Sequence, residues 1–187
     1  ADAFEAAMAH LLGRHLPALL AVSDYAFEQL RRHPHWLAEL GQSPAALDLR
    51  AGDEARWPDQ LRAWRHRRSI ELILRDVAGL DRVEDTLRGS SEQADHCCQW
   101  ALDALYAGMI ARHGVPRSAS GEAQRLVVFG LGKLGGSELN FSSDIDLVFA
   151  FPEQGETDGA RPLDNETFFV RLGQQFIKLL GDTTAEG

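Results

Sequence analysis

The sequence predicts a mainly α protein with a small α/β part at its carboxy-terminal end, and three observations predict it. Apolar residues recur at helical spacing from Asp2 to about His113. After Gly114 the texture changes to a Pro-, Ser- and Gly-rich stretch, followed by the short β-rich run Arg125-Leu126-Val127-Val128-Phe129-Gly130. A second run suited to a sheet, Ser142 to Phe151, then leads through a polar loop into one more amphipathic helix. The expected organisation is a helical region over 1–115 and a smaller α/β region over 116–187.

Taken in order, Phe27 and Leu30, and further on Ile70, Leu72, Ile73, Val77 and Leu80, mark the buried faces of the helical region. Breaks fall at His33-Pro34-His35, where Pro34 can open a new turn, at Gln42-Ser43-Pro44, and around Trp57-Pro58. Helices are expected from about Asp59 to Gly79 and from about Arg82 or Ser90 to Arg112. Pro116 to Gly121 reads as a loop, and so does Pro152 to Pro162. The last helix should run from about Asn165 to Leu180 with Asp164 as its cap and Phe169, Leu172, Phe176, Leu179 and Leu180 on one apolar face. There is no internal repeat.

With 187 residues, 44% of them apolar, the chain can bury a sizeable core. Arg, His or Glu interrupts every apolar stretch of the amino-terminal half, so neither a membrane span nor a signal peptide is expected. The start without Met points to a processed end or an excised piece. A net charge of -9 disfavours broad contact with nucleic acid or an anionic membrane and leaves room for a local basic groove. The two cysteines, Cys97 and Cys98, are adjacent and poorly placed to bridge each other, which fits a reducing cytoplasm. No HExxH or Cys/His spacing suggests zinc, and no nucleophile elbow surrounds a serine. Arg62, Arg65, His66, Arg67 and Arg68, with Arg75 beyond them, form a basic cluster that either meets an acidic partner or an adenylyl phosphate, or pairs with neighbouring acids or stays solvated. Trp36, Trp57, Trp64 and Trp100 are expected between helices.

The chemistry concentrates in the carboxy-terminal part. Gly130-Leu131-Gly132-Lys133-Leu134-Gly135 has the letters of a dinucleotide-binding turn, yet only eight residues separate Gly135 from Asp144. A parallel crossover needs ten or more, so the two strands should be antiparallel or near neighbours. A phosphate-binding P-loop fails as well, because no Gly-Lys-Ser/Thr closes the turn. Asp144 and Asp146, at i and i+2 in an extended run, point to one side and repel each other, and a divalent cation compensates such a pair. Glycines 135 and 136 let backbone amides approach phosphate oxygens. Together these pieces fit metal-assisted phosphoryl or nucleotidyl transfer.

The segment GLGKLGGSELNFSSDIDLVFAFPE resembles the signature of the glutamine-synthetase adenylyltransferase family. These are large bifunctional bacterial enzymes with two nucleotidyltransferase domains of the polymerase-β-like superfamily. The resemblance extends to GVPRSASGEAQ, LDNETFFVRLGQQFIKLL and LRAWRHRRSIELILRDVAGL, so it covers most of the chain. It implies an incomplete polymerase-β-like nucleotidyltransferase core behind the helical region. Glu138-Leu139-Asn140 before Ser142-Ser143 is of the kind found in the amino-terminal, AMP-removing half of the family.

By that resemblance the reaction is phosphorolysis of adenylyl-tyrosine on glutamine synthetase, with adenine nucleotide and phosphate in the site and ADP as product. Asp144 and Asp146 would bind magnesium; Gly135 and Gly136 would cradle phosphate, with Ser137 a helper. Lys133 has two readings, a phosphate contact or a solvated turn lysine. Ser143 would orient the strand entry, while Glu138 and Asn140 brace the loop. The superfamily's third carboxylate is not found before Gly187, and the sequence as it stands is therefore expected to bind metal and nucleotide weakly and to be inactive. The other readings are the AMP-adding half, or a docking module for glutamine synthetase or a PII signalling protein.

Overall fold

In the computed structural model, residues 13–181 are described. The chain opens with α1 (residues 13–22) and α2 (Asp24–Arg32), joined at Ser23, whose Oγ accepts from the Ala26 amide at 3.1 Å and caps α2. Pro34 then opens a 3₁₀ helix over Pro34–Glu39, as its fixed φ and missing donor favour at a first turn. An irregular stretch over residues 42–53 interrupts the helical region, so that region is not helix throughout. A short 3₁₀ turn, Glu54–Arg56, leads into α3 (Trp57–Val77), which starts two residues before the expected Asp59 because Pro58 is tolerated in a first turn. The longest helix, α4 (Val83–His113), closes its amino end through Asp85, whose carboxylate accepts from the Arg82 amide at 3.3 Å.

Past Gly114 the chain forms β1 (Pro116–Ser118), β2 (Val127–Gly130), the single turn α5 (Gly132–Gly135), β3 (Leu147–Ala150), β4 (Gly155–Thr157) and α6 (Asn165–Gly181). β2 and β3 pair antiparallel with Phe129 opposite Val148, which agrees with the spacing argument against a parallel crossover. β1 and β4 form a second antiparallel pair inside stretches expected to be loops. Their pairing rests on non-local contacts that local composition hides. A Cβ on Gly155 would stand 1.9 Å from the Arg117 carbonyl, so only glycine permits this register. Asn165, fully buried, reinforces it by donating from Nδ2 to the carbonyls of Arg117 and Glu153 at 3.0 and 3.1 Å. Asp164 caps α6 as expected, accepting from the Thr167 amide at 2.7 Å.

Three apolar clusters hold these elements. Leu19, Ala26, Leu30, Trp36 and Leu40 pack on Ile70 and Leu74 of α3. Trp57, Leu61, Trp64 and Ala101 pack with Phe176 and Leu179 of α6, and Leu147 and Phe149 lean on that cluster. Met109 and Leu126 meet Phe168, Phe169 and Leu172, so α6 contributes Phe168 in addition to the expected face. The second and third clusters thus each draw on both the helical part and the part after Pro116. Trp36, Trp57 and Trp64 are buried and Trp100 is half-buried with its ring 4.6 Å from that of Trp64, all between helices as the sequence suggested.

Candidate functional site

The β2–β3 sheet has two unlike faces. Leu147 and Phe149 turn inward, and the Phe149 ring meets Phe176 edge-on at 5.7 Å. The opposite face leaves Val127, Phe129 and Val148 exposed by 40%, 52% and 46%, an apolar sheet surface that no element covers among the described residues. Ahead of Leu147 the same alternation continues, with Ile145 half-buried and Asp144 and Asp146 exposed. Both residues are exposed in an extended lead-in that precedes the ladder, and Asp144 also borders the inner side of the sheet beside Ile145 and Leu147.

The glycine turn is tied directly to this lead-in. Leu131 donates its amide to the carbonyl of Asp146 at 2.9 Å, extending the β2–β3 ladder by one bond and setting α5 beside the second carboxylate. Within α5 the amides of Gly135 and Gly136 already donate to the carbonyls of Leu131 and Gly132, at 3.2 and 3.1 Å. These two amides are engaged in the turn. What Gly135 provides is approach, since a Cβ there would lie 2.5 Å from the Gly130 carbonyl oxygen. Ser137 follows with φ at 57°, a left-handed conformation that side chains other than glycine rarely adopt.

Lys133 is not simply solvated. Its Nζ donates to Ser143 Oγ at 3.2 Å, and Ser143 Oγ donates onward to Asn140 Oδ1 at 2.5 Å. Lys133, Ser143 and Asn140 thus form one chain of hydrogen bonds that passes through the residue before Asp144 and ends on Asn140. Part of the basic cluster of α3 is engaged with acids away from Asp144 and Asp146: Arg67 pairs with Glu39, Arg68 with Glu71 at 2.5 Å and Arg75 with Asp81 at 2.5 Å, while Arg62 and Arg65 line a cavity whose wall also includes Asp144. His66 is buried and faces the Tyr25 hydroxyl at 2.6 Å from Nδ1.

Two features were not anticipated. Ser91 of α4 accepts from the Leu139 amide at 3.0 Å across 48 residues of sequence, anchoring the loop that carries Asn140 and Ser143. The only sign in the sequence is the small-residue run Gly89-Ser90-Ser91 inside a long helix, which marks a close approach without saying of what. The second is a cavity of about 540 Å³ between α3, α4, the loop and the end of α6, whose wall includes Asn140, Ser143 and Asp144. Its volume suits a small molecule. Cys97 and Cys98 also line it, and burial pushes their thiols up to about 12 and about 11, so they are poor thiolate ligands or nucleophiles.

Among the described residues no cluster of three or more His, Cys, Asp or Glu side chains is placed to hold a metal, so Asp144 and Asp146 stand as a pair. No helix there is long and apolar enough to cross a membrane.

The sequence model of glutamate-ammonia ligase adenylyltransferase matches residues 13–187. Among similar proteins is the bifunctional glutamine synthetase adenylyltransferase/adenylyl-removing enzyme of Xanthomonas axonopodis pv. citri, 51% identical over 178 residues, covering 93% of this chain and 19% of that protein. Proteins of the same name from Thioalkalivibrio sulfidiphilus and Shewanella loihica are 46% and 39% identical, covering 80% and 93% of the chain and 15% and 20% of their own lengths. The chain spans about a fifth of the length of the curated relatives it matches. With a family match across nearly all of the chain, it belongs to the glutamate-ammonia ligase adenylyltransferase family.

Proposed function

We propose that this stretch supplies the metal-binding hairpin of a nucleotidyltransferase acting on glutamine synthetase in the cytoplasm, and that it belongs to the AMP-removing half. The observation that carries the chemistry is the Leu131–Asp146 bond, which sets the glycine turn next to the extended segment that holds two exposed acidic residues, Asp144 and Asp146. Glu138-Leu139-Asn140 supports the choice of half by resemblance, and Asn140 holds Ser143 in the structure.

The carboxylates fit magnesium: they are exposed hard oxygen donors at i and i+2 of an extended segment, and the α3 ion pairs of Arg67, Arg68 and Arg75 use Glu39, Glu71 and Asp81 instead of them. Magnesium held there supplies charge neutralisation for the oxygens around the reacting phosphorus. In the proposed reaction an oxygen of inorganic phosphate bonds to the adenylyl phosphorus, the bond from phosphorus to the tyrosine oxygen breaks, and the phenolate leaves to take a proton. The products are ADP and unmodified synthetase. Asp144 and Asp146 bind the metal, Ser143 holds the approach to Asp144 through Asn140, and Lys133 offers a cation to phosphate oxygens. Gly135 and Gly136 close the turn, and Ser137 continues it past the usual backbone range. Residues 116–187 carry this chemistry in the proposed division, and residues 1–115 brace it and offer the surface for partners, a PII signalling protein among them. Because no third His, Cys, Asp or Glu side chain joins Asp144 and Asp146 in one cluster among the described residues, this stretch by itself is proposed to bind metal weakly and not to turn over.

The test uses a protein of the relatives' length that carries this stretch, with Asp144→Asn and Asp146→Asn together. Loss of phosphate-dependent ADP release from adenylylated glutamine synthetase, with AMP addition from ATP retained, is the expected result. The opposite pattern assigns the hairpin to the AMP-adding half. Retention of both activities removes the catalytic reading and favours a docking module.

A further inference from the structure

We infer that Ser91, on α4 of the helical part, is a positioning residue for the carboxylate pair. The inference rests on the proposed metal-binding reading of Asp144 and Asp146. The segment from Gly136 to Asp146 has no regular secondary structure, so side-chain contacts must fix its path. Its one deeply buried residue is Leu139, 6% exposed, and the amide of Leu139 finds its acceptor in Ser91 Oγ. Ser91 is itself 2% exposed, and its hydroxyl donates to the Leu87 carbonyl at 3.0 Å, four residues back on the same helix. That bond sets the hydroxyl rotor and leaves a lone pair aimed at Leu139.

From Leu139 the constraint passes along short steps. Asn140 accepts twice from Ser143, at its side-chain oxygen from Oγ and at its carbonyl from the amide at 3.3 Å, and Lys133 closes the ring from α5. Asp144 is the next residue. The turn is therefore held at one end by α5 and at the other by α4, and Ser91 is the α4 end. A serine is suited to the position because α4 lies close to its neighbours here: a Cβ two residues earlier, on Gly89, would stand 2.6 Å from Leu72 Cδ2. An alanine at 91 would leave the Leu139 amide buried without an acceptor.

The experiment compares Ser91→Ala, Ser91→Thr and Ser90→Ala in the full 187-residue chain. Ser90 is a buried neighbour on the same helix and serves as the control. Two quantities are read: amide hydrogen exchange over 138–146 against that of α6, and manganese(II) affinity by electron paramagnetic resonance. Ser91→Ala is expected to speed exchange at Leu139 through Asp146 about tenfold, the scale of one lost buried hydrogen bond, while α6 keeps its protection. Manganese(II) affinity should fall several-fold in step. Ser91→Thr, which keeps the oxygen, should restore both, and Ser90→Ala should move neither. Should Ser91→Ala fail to fold, Ser91→Cys, with a poor acceptor of similar size, carries the same expectation. Unchanged exchange over 138–146, or faster exchange with manganese(II) affinity intact, overturns the inference. If the unsubstituted chain binds no manganese(II), the affinity is read in a protein of the relatives' length that carries this stretch; binding there that is indifferent to Asp144→Asn and Asp146→Asn overturns the metal reading, and exchange at Leu139 then decides the role of Ser91 alone.

Discussion

The Leu131 amide lies 2.9 Å from the carbonyl oxygen of Asp146, and it is this backbone bond, not the Asp146 carboxylate, that joins the glycine turn to the strand. The carboxylate is left exposed for other work. Asp146→Asn should therefore keep the hairpin, shifting stability by less than about 0.5 kcal/mol in urea denaturation, as exposed substitutions do. Manganese(II) titration of the same variant should show binding lost. A large loss of stability would mean that the side chain, and not only the backbone, builds the turn.

Gly135 permits the turn to press on β2. With a Cβ placed 2.5 Å from the rigid Gly130 carbonyl, Gly135→Ala should cost about 1–3 kcal/mol, because backbone must move to relieve the overlap. Equilibrium denaturation gives the number. Gly136, whose Cβ would meet nothing nearer than 3.6 Å, should tolerate alanine much better.

Ser137 carries strain that glycine would not. At φ 57°, Ser137→Gly should stabilise the fold by about 0.5–1 kcal/mol, the left-handed penalty less the added chain entropy of glycine. Thermal denaturation of the variant checks it; a fall in stability would show that the hydroxyl holds something the strain offsets.

The two thiols give a pH signature. Burial holds Cys97 at about 12 and Cys98 at about 11, above the 9.0 of a free thiol, so the folded state keeps its protons where the unfolded state sheds them. Above the unfolded value the unfolded chain binds fewer protons, and stability declines as pH rises through the folded values. Denaturation midpoints should thus fall between about pH 9 and 11, and a Cys97→Ala, Cys98→Ala variant should lose part of that slope. Iodoacetamide should label the native protein slowly at pH 8.

Local pattern made much of this fold legible. The cap at Asp164, the break at Pro34, the long helices and the antiparallel pairing of β2 with β3 all follow from propensity, capping and chain reach, which act within a few residues. The exposed pair at Asp144 and Asp146 was legible for the same reason, since strand alternation alone assigns both to one side. Tertiary structure decided what depends on partners far along the chain. β1 and β4 pair across some forty residues, as Pro116 with Thr157 shows, and nothing in either short stretch announces the other. Likewise the amides of Gly135 and Gly136 turned out to be committed within α5, and the anchor of the Leu139 loop came from Ser91 on a distant helix. A hydrogen-bond donor or acceptor has the same letter whether it is free or engaged, and only the folded chain reveals which.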